Sequence, residues 1–333
     1  MTDPAPIDAV ITWVDGDNPA HRARRNRYIA LADGPLHENA VNPHRWEAAD
    51  EILFCLRSIE AHAPWIRRIW IVTEGAGPDL SAMSEGLRAR VRHVGHGAIF
   101  TGFEGVLPTF NSLAIESLLW RIPGLSERFL YFNDDVFLTA PLHPEDVFRG
   151  MSPVLRGKWV DRRALLARPD LRADPARFNH FMQINAAAIA GFDAARLFAA
   201  AHVVHPMRRS VMASLFDRHG DAFAANVGYR FRDLAQFLPQ GLHNHACIAV
   251  DGAVIETRVD HLHIRSGQAA GEARDLLAGL AASGVRFLCV NDLPQLERSL
   301  PDIRARIEDV IAPAGARGLA GRGQVLGRGD GRL

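Results

Sequence analysis

The sequence is poor in cysteine, and this excludes one common way of stabilising a fold. Its 333 residues contain three cysteines, Cys55, Cys247 and Cys289, an odd number without the spacing of a metal site. Neither a disulfide framework nor a cysteine-ligated zinc centre is therefore expected from them. We predict three reduced thiols that serve as packing residues in a cytoplasmic protein.

The chain also lacks a net charge and a long apolar run. Lys plus Arg and Asp plus Glu both total 38, so no global field favours nucleic acid or an anionic membrane. No segment is apolar over the length that a bilayer requires, and residues 1–6 lack the features of a signal peptide. We expect a cytoplasmic protein that binds no nucleic acid and has no integral membrane segment.

Glycine-rich phosphate loops are absent as well. The sequence contains neither GxxxxGK(S/T) nor GxGxxG. Because these loops bring backbone amides close to nucleotide phosphates, their absence excludes ATP-dependent P-loop proteins and dinucleotide-binding Rossmann proteins.

The pattern that is present alternates strands with helices in the first half of the chain. Short β-branched or apolar runs predict strands at 7–14, 69–73, 91–94 and 129–132, and helical periodicity predicts helices at 50–62 and 111–121. This order indicates an α/β fold with a mostly parallel, doubly wound sheet.

The second half of the chain differs in character and predicts a helical elaboration. Residues 155–177 are basic and rich in proline, which favours an excursion outside the core. We predict helices around 184–201, 208–219, 274–282 and 302–311, and strands at 246–250, 254–259 and 285–290. Residues 314–333 are rich in Gly and Arg and predict a disordered tail.

One predicted strand ends in adjacent acids. The apolar run Phe129–Phe132 is followed at once by Asn133, Asp134 and Asp135. Two neighbouring carboxylates are unfavourable unless a cation shares them, and ligands bind at the carboxyl ends of the strands in open α/β sheets. A metal site is one interpretation of this pattern, and an Asx-rich turn is the other.

A second acidic loop, which contains Asp15 and Asp17, follows the first predicted strand. In a parallel sheet this loop and the Asn133–Asp135 loop emerge at the same edge and can line one crevice. Oxygen ligands without a thiolate or a close imidazole pair favour Mg²⁺ or Mn²⁺, held between the acids and a diphosphate. The alternative for the Asp15 loop is again a turn.

Two downstream segments combine histidine and arginine. His205 stands beside a predicted helix start that carries Arg208, and Arg232 lies in an Arg-Phe-Arg-Asp segment. Arginine matches the geometry of phosphate oxygens, and histidine transfers protons near neutral pH. These residues become a candidate site only if the fold brings them to the acidic loops.

A third cluster holds alternating histidines, at His243 and His245 and again at His261 and His263. On strands, such pairs would place both rings on one face, which is one way to hold zinc. A structural role for each ring is the alternative.

Several of these strings resemble one family, the Stealth proteins. The first block is similar to IDAVITWVDG at residues 7–16. The second is similar to LRSIEAHAPWIR at 56–67, LPTFNS at 107–112 and LYFNDDV at 130–136, the third to residues 205–245, and the start of the fourth to FLCVND at 287–292. The resemblance covers nearly the whole chain apart from the tail.

The resemblance implies a fold, a reaction and a site. It implies a glycosyltransferase-A-like sheet in one catalytic domain, residues 1–313, with a nucleotide-sugar and metal half at 7–145 and a His/Arg-bearing half at 178–312. It implies transfer of a sugar 1-phosphate from a nucleotide sugar, for which UDP-sugars are the first candidates, to a hydroxyl of a polysaccharide or glycan acceptor. A peripheral association with polysaccharide assembly machinery would fit this role.

The implied site is distributed along the chain. The metal residues, for Mg²⁺ or Mn²⁺, are Asp134 and Asp135, and the catalytic residues are His205, Arg232 and Asp135. The predicted substrate-binding residues are Thr12, Trp13, Asp15, Arg57, Asn111, Asn133 and Arg208.

The sequence departs from the family in its second block. Ala48 and Ala49 stand where the family usually has Asp-Asn. Two other functions therefore stay open: a metal-dependent glycosyltransferase, and a homologue that binds glycan or nucleotide sugar without turnover.

Overall fold

The structure is a computed structural model, and it describes residues 5–42, 50–265 and 267–313. The substitutions at Ala48 and Ala49 and the predicted disordered tail at 314–333 lie outside these residues. Within the described ranges, every helix is too short or too polar to span a membrane.

Strands and helices alternate along much of the chain. The strands are β1 (Ile7–Thr12), β2 (Ile69–Val72), β3 (Val91–Val94), β4 (Arg128–Asn133), β5 (Val136–Leu138), β6 (Phe148–Arg149), β7 (Ser152–Val160), β8 (Leu197–Ala200), β9 (His205–Arg208), β10 (Val254–Glu256), β11 (His261–Ile264) and β12 (Phe287–Val290). The helices are α1 (Pro19–Ala30), α2 (Glu38–Val41), α3 (Glu51–His62), α4 (Glu85–Arg90), α5 (His96–Ile99), α6 (Ser112–Glu116), α7 (Pro144–Val147), α8 (Arg163–Leu166), α9 (Phe178–Ile189), α10 (Arg209–Arg218), α11 (Gly220–Gly228), α12 (Pro239–Ala249), α13 (Ala270–Ser283), α14 (Leu293–Ser299) and α15 (Ile303–Ile311).

The chain divides into two compact units. Of the described residues, unit 1 comprises 5–42, 65–134 and 143–259, and unit 2 comprises 50–64, 135–142, 260–265 and 267–313. The division falls between the adjacent acids Asp134 and Asp135.

Unit 1 contains a five-stranded sheet with the order β3-β2-β1-β4-β9. The first three neighbouring pairs are parallel, and only β4 and β9 run antiparallel. The prediction of an α/β fold with a mostly parallel sheet is therefore confirmed. Strands β2 and β4 are almost continuously apolar and fully buried, as expected of parallel strands covered on both faces.

A buried acid ties the amino-terminal side of this sheet together. Asp8 on β1 is fully buried and accepts two hydrogen bonds from the Arg67 guanidinium, at 2.9 and 2.7 Å. The Trp70 indole and the Ser126 backbone amide also donate to it. These donors outweigh the desolvation that opposes them, so the pKa of Asp8 is lowered. The carboxylate thus links β1 and β2 to the turn before β4.

A second sheet in unit 1 corrects one prediction. It has the order β10-β7-β6, with β8 paired to the other part of β7. Strand β7 begins at Ser152, and Val154 and Leu155 within it are buried. The expectation that residues 155–177 form an excursion outside the core is therefore wrong for 155–160, because alternating basic residues in this strand concealed its buried face.

A further correction concerns residues 246–250. The sequence predicts a strand there, but residues 246–249 form the last turn of α12. Helix α12 begins at Pro239, and its buried side chains include His243 and Cys247, which are four residues apart. Their spacing is helical, and the short β-branched run at its end misled the prediction. The predicted strand at 254–259 is real but shorter, at Val254–Glu256.

Unit 2 is a smaller α/β unit around a three-stranded sheet with the order β11-β12-β5. Strand β12 is parallel to β11 and antiparallel to β5. Helix α3 packs on β5, where Phe54 contacts Phe137 edge to face at 6.0 Å. All three cysteines of the protein are buried, and two of them, Cys55 and Cys289, lie in this unit.

A glycine permits the close approach of β7 and β8. A Cβ atom built on Gly157 would lie 2.4 Å from the Ala199 carbonyl oxygen and 2.8 Å from the Phe198 ring. We expect Gly157→Ala to destabilise the protein by about 2 kcal/mol, because backbone must shift to relieve the clash. Urea denaturation measures this change.

The matched control is Gly279→Ala within α13, where an added Cβ meets no atom within 4 Å. Alanine is the better helix former, so this variant should gain roughly 0.5 kcal/mol. Equal stability of the Gly157→Ala variant and the wild type would contradict the close approach.

Candidate functional site

The acid-tipped strand lies beside the first strand at the carboxyl edge of the unit 1 sheet. Strands β1 and β4 are parallel and in register, so that Thr12 is the partner of Asn133. The loops that begin at Trp13 and Asp134 therefore leave the sheet side by side. The predicted adjacency of the two loops is confirmed, and this edge is where open α/β sheets bind ligands.

A phenol orders the side chains at this edge. Tyr131 is buried, and its hydroxyl donates to Asn133 Oδ1 at 2.8 Å. The Thr12 hydroxyl lies 3.1 Å from the Tyr131 oxygen, and since the phenol proton is used toward Asn133, Thr12 donates in this pair. Burial together with a neighbouring carboxylate, Glu116, holds the pKa of Tyr131 well above its usual value. Tyr131 therefore remains a neutral hydrogen-bonding group.

His205 lies directly opposite this phenol. It is the first residue of β9, the short strand that leads into the predicted helix α10 at Arg209, and it pairs with Tyr131 across the antiparallel β4–β9 ladder. The two rings are stacked at 6.4 Å, and His205 is only 7% exposed. Burial lowers the pKa of His205 to about 3. The imidazole is therefore neutral at physiological pH.

Arg232 reaches the same region on a loop that is fastened to the 107–112 segment. The Phe110 backbone amide donates to the Arg230 carbonyl at 2.9 Å, and the Phe110 and Phe231 rings stack at 5.3 Å. These contacts direct Arg232 to the start of α6, where its Nη2 donates to Ser112 Oγ at 2.6 Å. Two segments about 120 residues apart in the chain are thereby joined.

Asn111 supports the loop that carries Arg232, and its side chain is fully buried. Its amide nitrogen donates to the Tyr229 carbonyl and to Gln236 Oε1, at 2.8 and 2.9 Å, while its oxygen accepts from the Leu113 amide at the start of α6. Gln236 in turn donates to the Asn226 carbonyl. Because Asn111 uses both its amide nitrogen and its amide oxygen within the protein, we interpret it as a support for the Arg232 loop.

Two residues at this site escaped the sequence analysis. Glu116 on α6 is buried and lies beside Ser112 and Tyr131; burial raises its pKa, and the positive charge of Arg232 opposes that rise. His202 Nε2 lies 3.4 Å from the Asn133 amide nitrogen. The one signal for Glu116 in the sequence is that an acid lies within an apolar helical segment.

The loop after β1 supports the turn interpretation in part. Asp15 Oδ1 accepts from the backbone amides of Asp17 and Asn18, both at 3.1 Å. One carboxylate oxygen of Asp15 therefore caps its own loop. The Trp13 backbone is held to β2 through the Val72 carbonyl at 3.0 Å, which keeps this loop at the sheet edge.

Of the predicted binding residues in unit 1, Arg208 is not brought to this edge. Arg208 pairs with Arg128 at the opposite end of the β4–β9 ladder, and its guanidinium lies 3.4 Å from Glu127. Arg57 belongs to unit 2 and pairs with Glu308 at 2.9 Å. Both arginines have carboxylate partners, as partly exposed arginines commonly do.

Asp135 is the first residue of the short 135–142 segment of unit 2. Its Oδ2 accepts from the Asn291 amide at 2.6 Å, and one of its carboxylate oxygens lies within 4.8 Å of Cys289 Sγ. The sequence indicates no thiol near the two acids, and the structure corrects this expectation for Asp135. The carboxylate suits a hard cation such as Mg²⁺ or Mn²⁺, whereas a thiolate suits a softer one such as Zn²⁺.

Two of the four histidines considered for zinc, His243 and His245, have structural roles in unit 1. His243 and His245 lie on a helix, α12, and not on a strand. Their Nε2 atoms accept from the backbone amides of Arg208 and Phe198, each at 2.9 Å. Because an imidazole nitrogen that accepts an amide hydrogen bond has no lone pair left for a metal, these rings are not zinc ligands.

The site of unit 1 thus combines a neutral imidazole, a guanidinium and a hydrogen-bonded phenol, hydroxyl and amide at the carboxyl edge of a parallel sheet. The fold is therefore an α/β fold whose sheet edge carries groups of the kind that suit an anionic ligand.

Comparison with known proteins identifies the family. Residues 5–31 match Stealth protein conserved region 1, and residues 45–153 match conserved region 2. An exopolysaccharide phosphotransferase of Streptomyces coelicolor is 34% identical over 291 residues, which is 86% of this chain and 47% of that protein. Exopolysaccharide phosphotransferase CpsY of Mycobacterium tuberculosis is 32% identical over 315 residues, 92% of this chain and 55% of CpsY.

The chain belongs to the Stealth family. It spans about half the length of the curated relatives it matches.

Solved structures give a more distant likeness. The galactosyltransferase LgtC in complex with donor and acceptor sugar analogues has a TM-score of 0.41 at 12% identity and covers 93% of this chain and 99% of that one. Mouse xyloside xylosyltransferase 1 has a TM-score of 0.41 at 10% identity, with 87% and 99% coverage. At these scores the likeness indicates neither substrate nor site.

The low pKa of His205 predicts a pH-dependent stability. In the unfolded chain histidine takes up a proton below about pH 6.5, whereas folded His205 stays neutral until about pH 3. Stability from this residue is therefore present above about pH 6.5 and lost as the pH falls toward 3. Replacing His205 by Asn should reduce the stability lost between pH 7.5 and pH 5.5 by about 1 kcal/mol.

Urea denaturation of wild type and His205→Asn at both pH values measures this difference. His93→Asn, at an exposed position of β3, is the control and should keep the wild-type dependence. Identical slopes for wild type and His205→Asn would show that His205 is not held neutral by burial.

Proposed function

We propose that this chain transfers a sugar 1-phosphate from a nucleotide sugar, in the first instance a UDP-sugar, to a hydroxyl of a polysaccharide acceptor in exopolysaccharide or capsule biosynthesis. The observation that carries the proposal is that His205 pairs with Tyr131 on β4, while the positive charge of Arg232 acts on the same Tyr131 and on Glu116. The naming of relatives as exopolysaccharide phosphotransferases supports the same class of reaction.

In the proposed reaction the acceptor oxygen attacks the phosphorus that carries the sugar. A new oxygen–phosphorus bond forms, the bond from that phosphorus to the bridging oxygen breaks, and a nucleoside monophosphate leaves. Because the displacement occurs at phosphorus, the bond between the sugar and its phosphate is untouched and the anomeric configuration is retained.

His205 is proposed to accept the proton of the acceptor hydroxyl. A histidine can act in such a site as a proton acceptor or as a fixed positive charge. Burial favours the role of proton acceptor, because it keeps the imidazole neutral. A bound diphosphate would raise the histidine pKa toward the working pH by its negative charge.

Arg232 is proposed to bind the non-bridging oxygens of the transferred phosphate. Its guanidinium is held at Ser112 by the 2.6 Å hydrogen bond and is balanced by the buried Glu116. A donor fixed in advance stabilises developing charge without reorganisation. Thr12, Trp13, Asp15 and Asn133 line the edge and are proposed to contact the donor.

Asp134 and Asp135 are proposed to hold Mg²⁺ or Mn²⁺. Both are only partly buried, and the carboxylate chemistry of the pair fits a hard cation. A cation bound there would neutralise charge on the diphosphate oxygens.

The test of function combines a turnover assay with product analysis. Wild-type protein is incubated with UDP-sugars, oligosaccharide acceptors and Mn²⁺, and the products are followed by phosphorus NMR. The proposal expects a phosphodiester signal and UMP. Release of UDP without a phosphodiester would instead show a glycosyltransferase, and binding of donor without any product would show a non-catalytic homologue.

Variants assign the roles within that assay. His205→Ala and Arg232→Ala should each lower kcat by about 100-fold or more, the usual loss of a proton acceptor or a charge-stabilising donor. Asp217→Asn, an exposed acid on α10, is the control and should retain wild-type turnover. Unchanged kcat in either site variant would remove that residue from the mechanism.

The metal assignment has its own test. Asp134→Asn and Asp135→Asn should abolish transfer with little loss of stability, because removing one of two neighbouring like charges does not destabilise a fold in itself. Treatment with EDTA should abolish turnover in the wild type, and added Mn²⁺ should restore it. Full activity in EDTA would exclude a metal-dependent reaction.

A further inference from the structure

A continuous hydrogen-bonded chain lies behind Asp135 within unit 2. The Asn291 amide nitrogen donates to Asp135 Oδ2 at 2.6 Å, and the Asn291 oxygen lies 2.5 Å from His263 Nε2. An amide oxygen only accepts hydrogen bonds, so His263 Nε2 carries the hydrogen in this pair. The three side chains therefore form one directed series, from His263 through Asn291 to Asp135.

The three-stranded sheet produces this arrangement. His263 on β11 is in register with Cys289 on β12, and Cys289 is in register with Val136 on β5. The last residue of β12 and the first acid before β5 are thereby adjacent, and the Val290 amide donates to the Asp135 carbonyl at 3.0 Å. Asn291 follows directly, so its side chain reaches the carboxylate whose backbone the sheet already holds.

Asn291 itself has little freedom to move. Its backbone amide donates to the Ile264 carbonyl at 3.0 Å, which ties it to the end of β11. Its side-chain nitrogen and oxygen are used in opposite directions, which sets the orientation of the amide plane. A carboxylate held by such an amide keeps one orientation.

We propose that Asn291 is a positioning residue that orients Asp135 for a divalent cation, and that His263 fixes the orientation of Asn291. The inference rests on the metal role of Asp135 in the proposed function and adds two residues of the same unit to it. Partners of this kind commonly account for 10- to 100-fold in metal affinity, because they hold a ligand in its binding geometry before the metal arrives.

The experiment is a titration of the full chain with Mn²⁺ alone, followed by the electron paramagnetic resonance signal of free Mn²⁺. Asn291→Ala should weaken Mn²⁺ binding about 10-fold or more with little change in thermal unfolding, and Asp135→Asn should abolish the site. The control is Asn39→Ala. It removes a hydrogen bond of similar length, 2.7 Å from the Asn39 amide nitrogen to the Pro175 carbonyl, and should bind Mn²⁺ as the wild type does.

A second pair of variants keeps the proposal testable if Asn291→Ala fails to fold. His263→Ala removes the hydrogen given to Asn291 and should weaken Mn²⁺ binding, whereas His263→Gln can donate through its own amide nitrogen and should restore it. In the wild type, nitrogen-15 NMR should show the His263 tautomer protonated at Nε2.

The outcomes separate this inference from the function it rests on. Wild-type affinity in both Asn291→Ala and His263→Ala, with binding lost in Asp135→Asn, would overturn the positioning role and leave the metal site intact. Mn²⁺ binding that is absent in the wild type, or unchanged in Asp135→Asn, would overturn the metal role of Asp135 and this inference with it. Loss in His263→Ala that His263→Gln restores would support the directed series.

Discussion

The in-register parallel pairing of β1 with β4 is the constraint on which the site depends. It sets Thr12 against Asn133, so that the first loop of the chain and the acidic turn leave the sheet from neighbouring positions. It also places Tyr131 where its hydroxyl reaches both side chains. A shift of one residue would turn Tyr131 to the other face of the sheet and separate these groups. The buried Asp8, which ties β1 to β2 and to the turn before β4, resists such a shift.

Buried polar groups with complete sets of partners stabilise the rest of the site. Asn111, Gln236 and Asn226 satisfy one another and the backbone of the loop that carries Arg232. An amide left without partners in such surroundings would cost about 1–3 kcal/mol, so the loop has one favourable conformation. The guanidinium of Arg232 therefore has its place before a ligand arrives, which reduces the entropy that binding must overcome.

The sequence predicted the parts of the fold that local pattern controls. The strands of the parallel sheet and the helix α3 follow from apolar runs and helical spacing, as does the adjacency of the two acidic loops. It failed at β7, where basic residues conceal a buried strand, and at the end of α12, where a β-branched run resembles one. The side chains around Arg232 lay beyond prediction because their partners are set by tertiary contacts: nothing local indicates that Ser112 accepts from Arg232, or that Glu116 lies beside Tyr131.

The joining of Phe110 to Phe231 has a consequence for how the protein acquires its site. The contact closes a loop of about 120 residues, and closing this loop has an entropic cost. Only the folding of unit 1 as a whole offsets that cost, and an early fragment of the chain cannot offset it. The two conserved regions that identify the family end at residue 153, well before Arg232. During translation, all residues of these two conserved regions are therefore made before Arg232, and the part of the site that Arg232 provides does not yet exist.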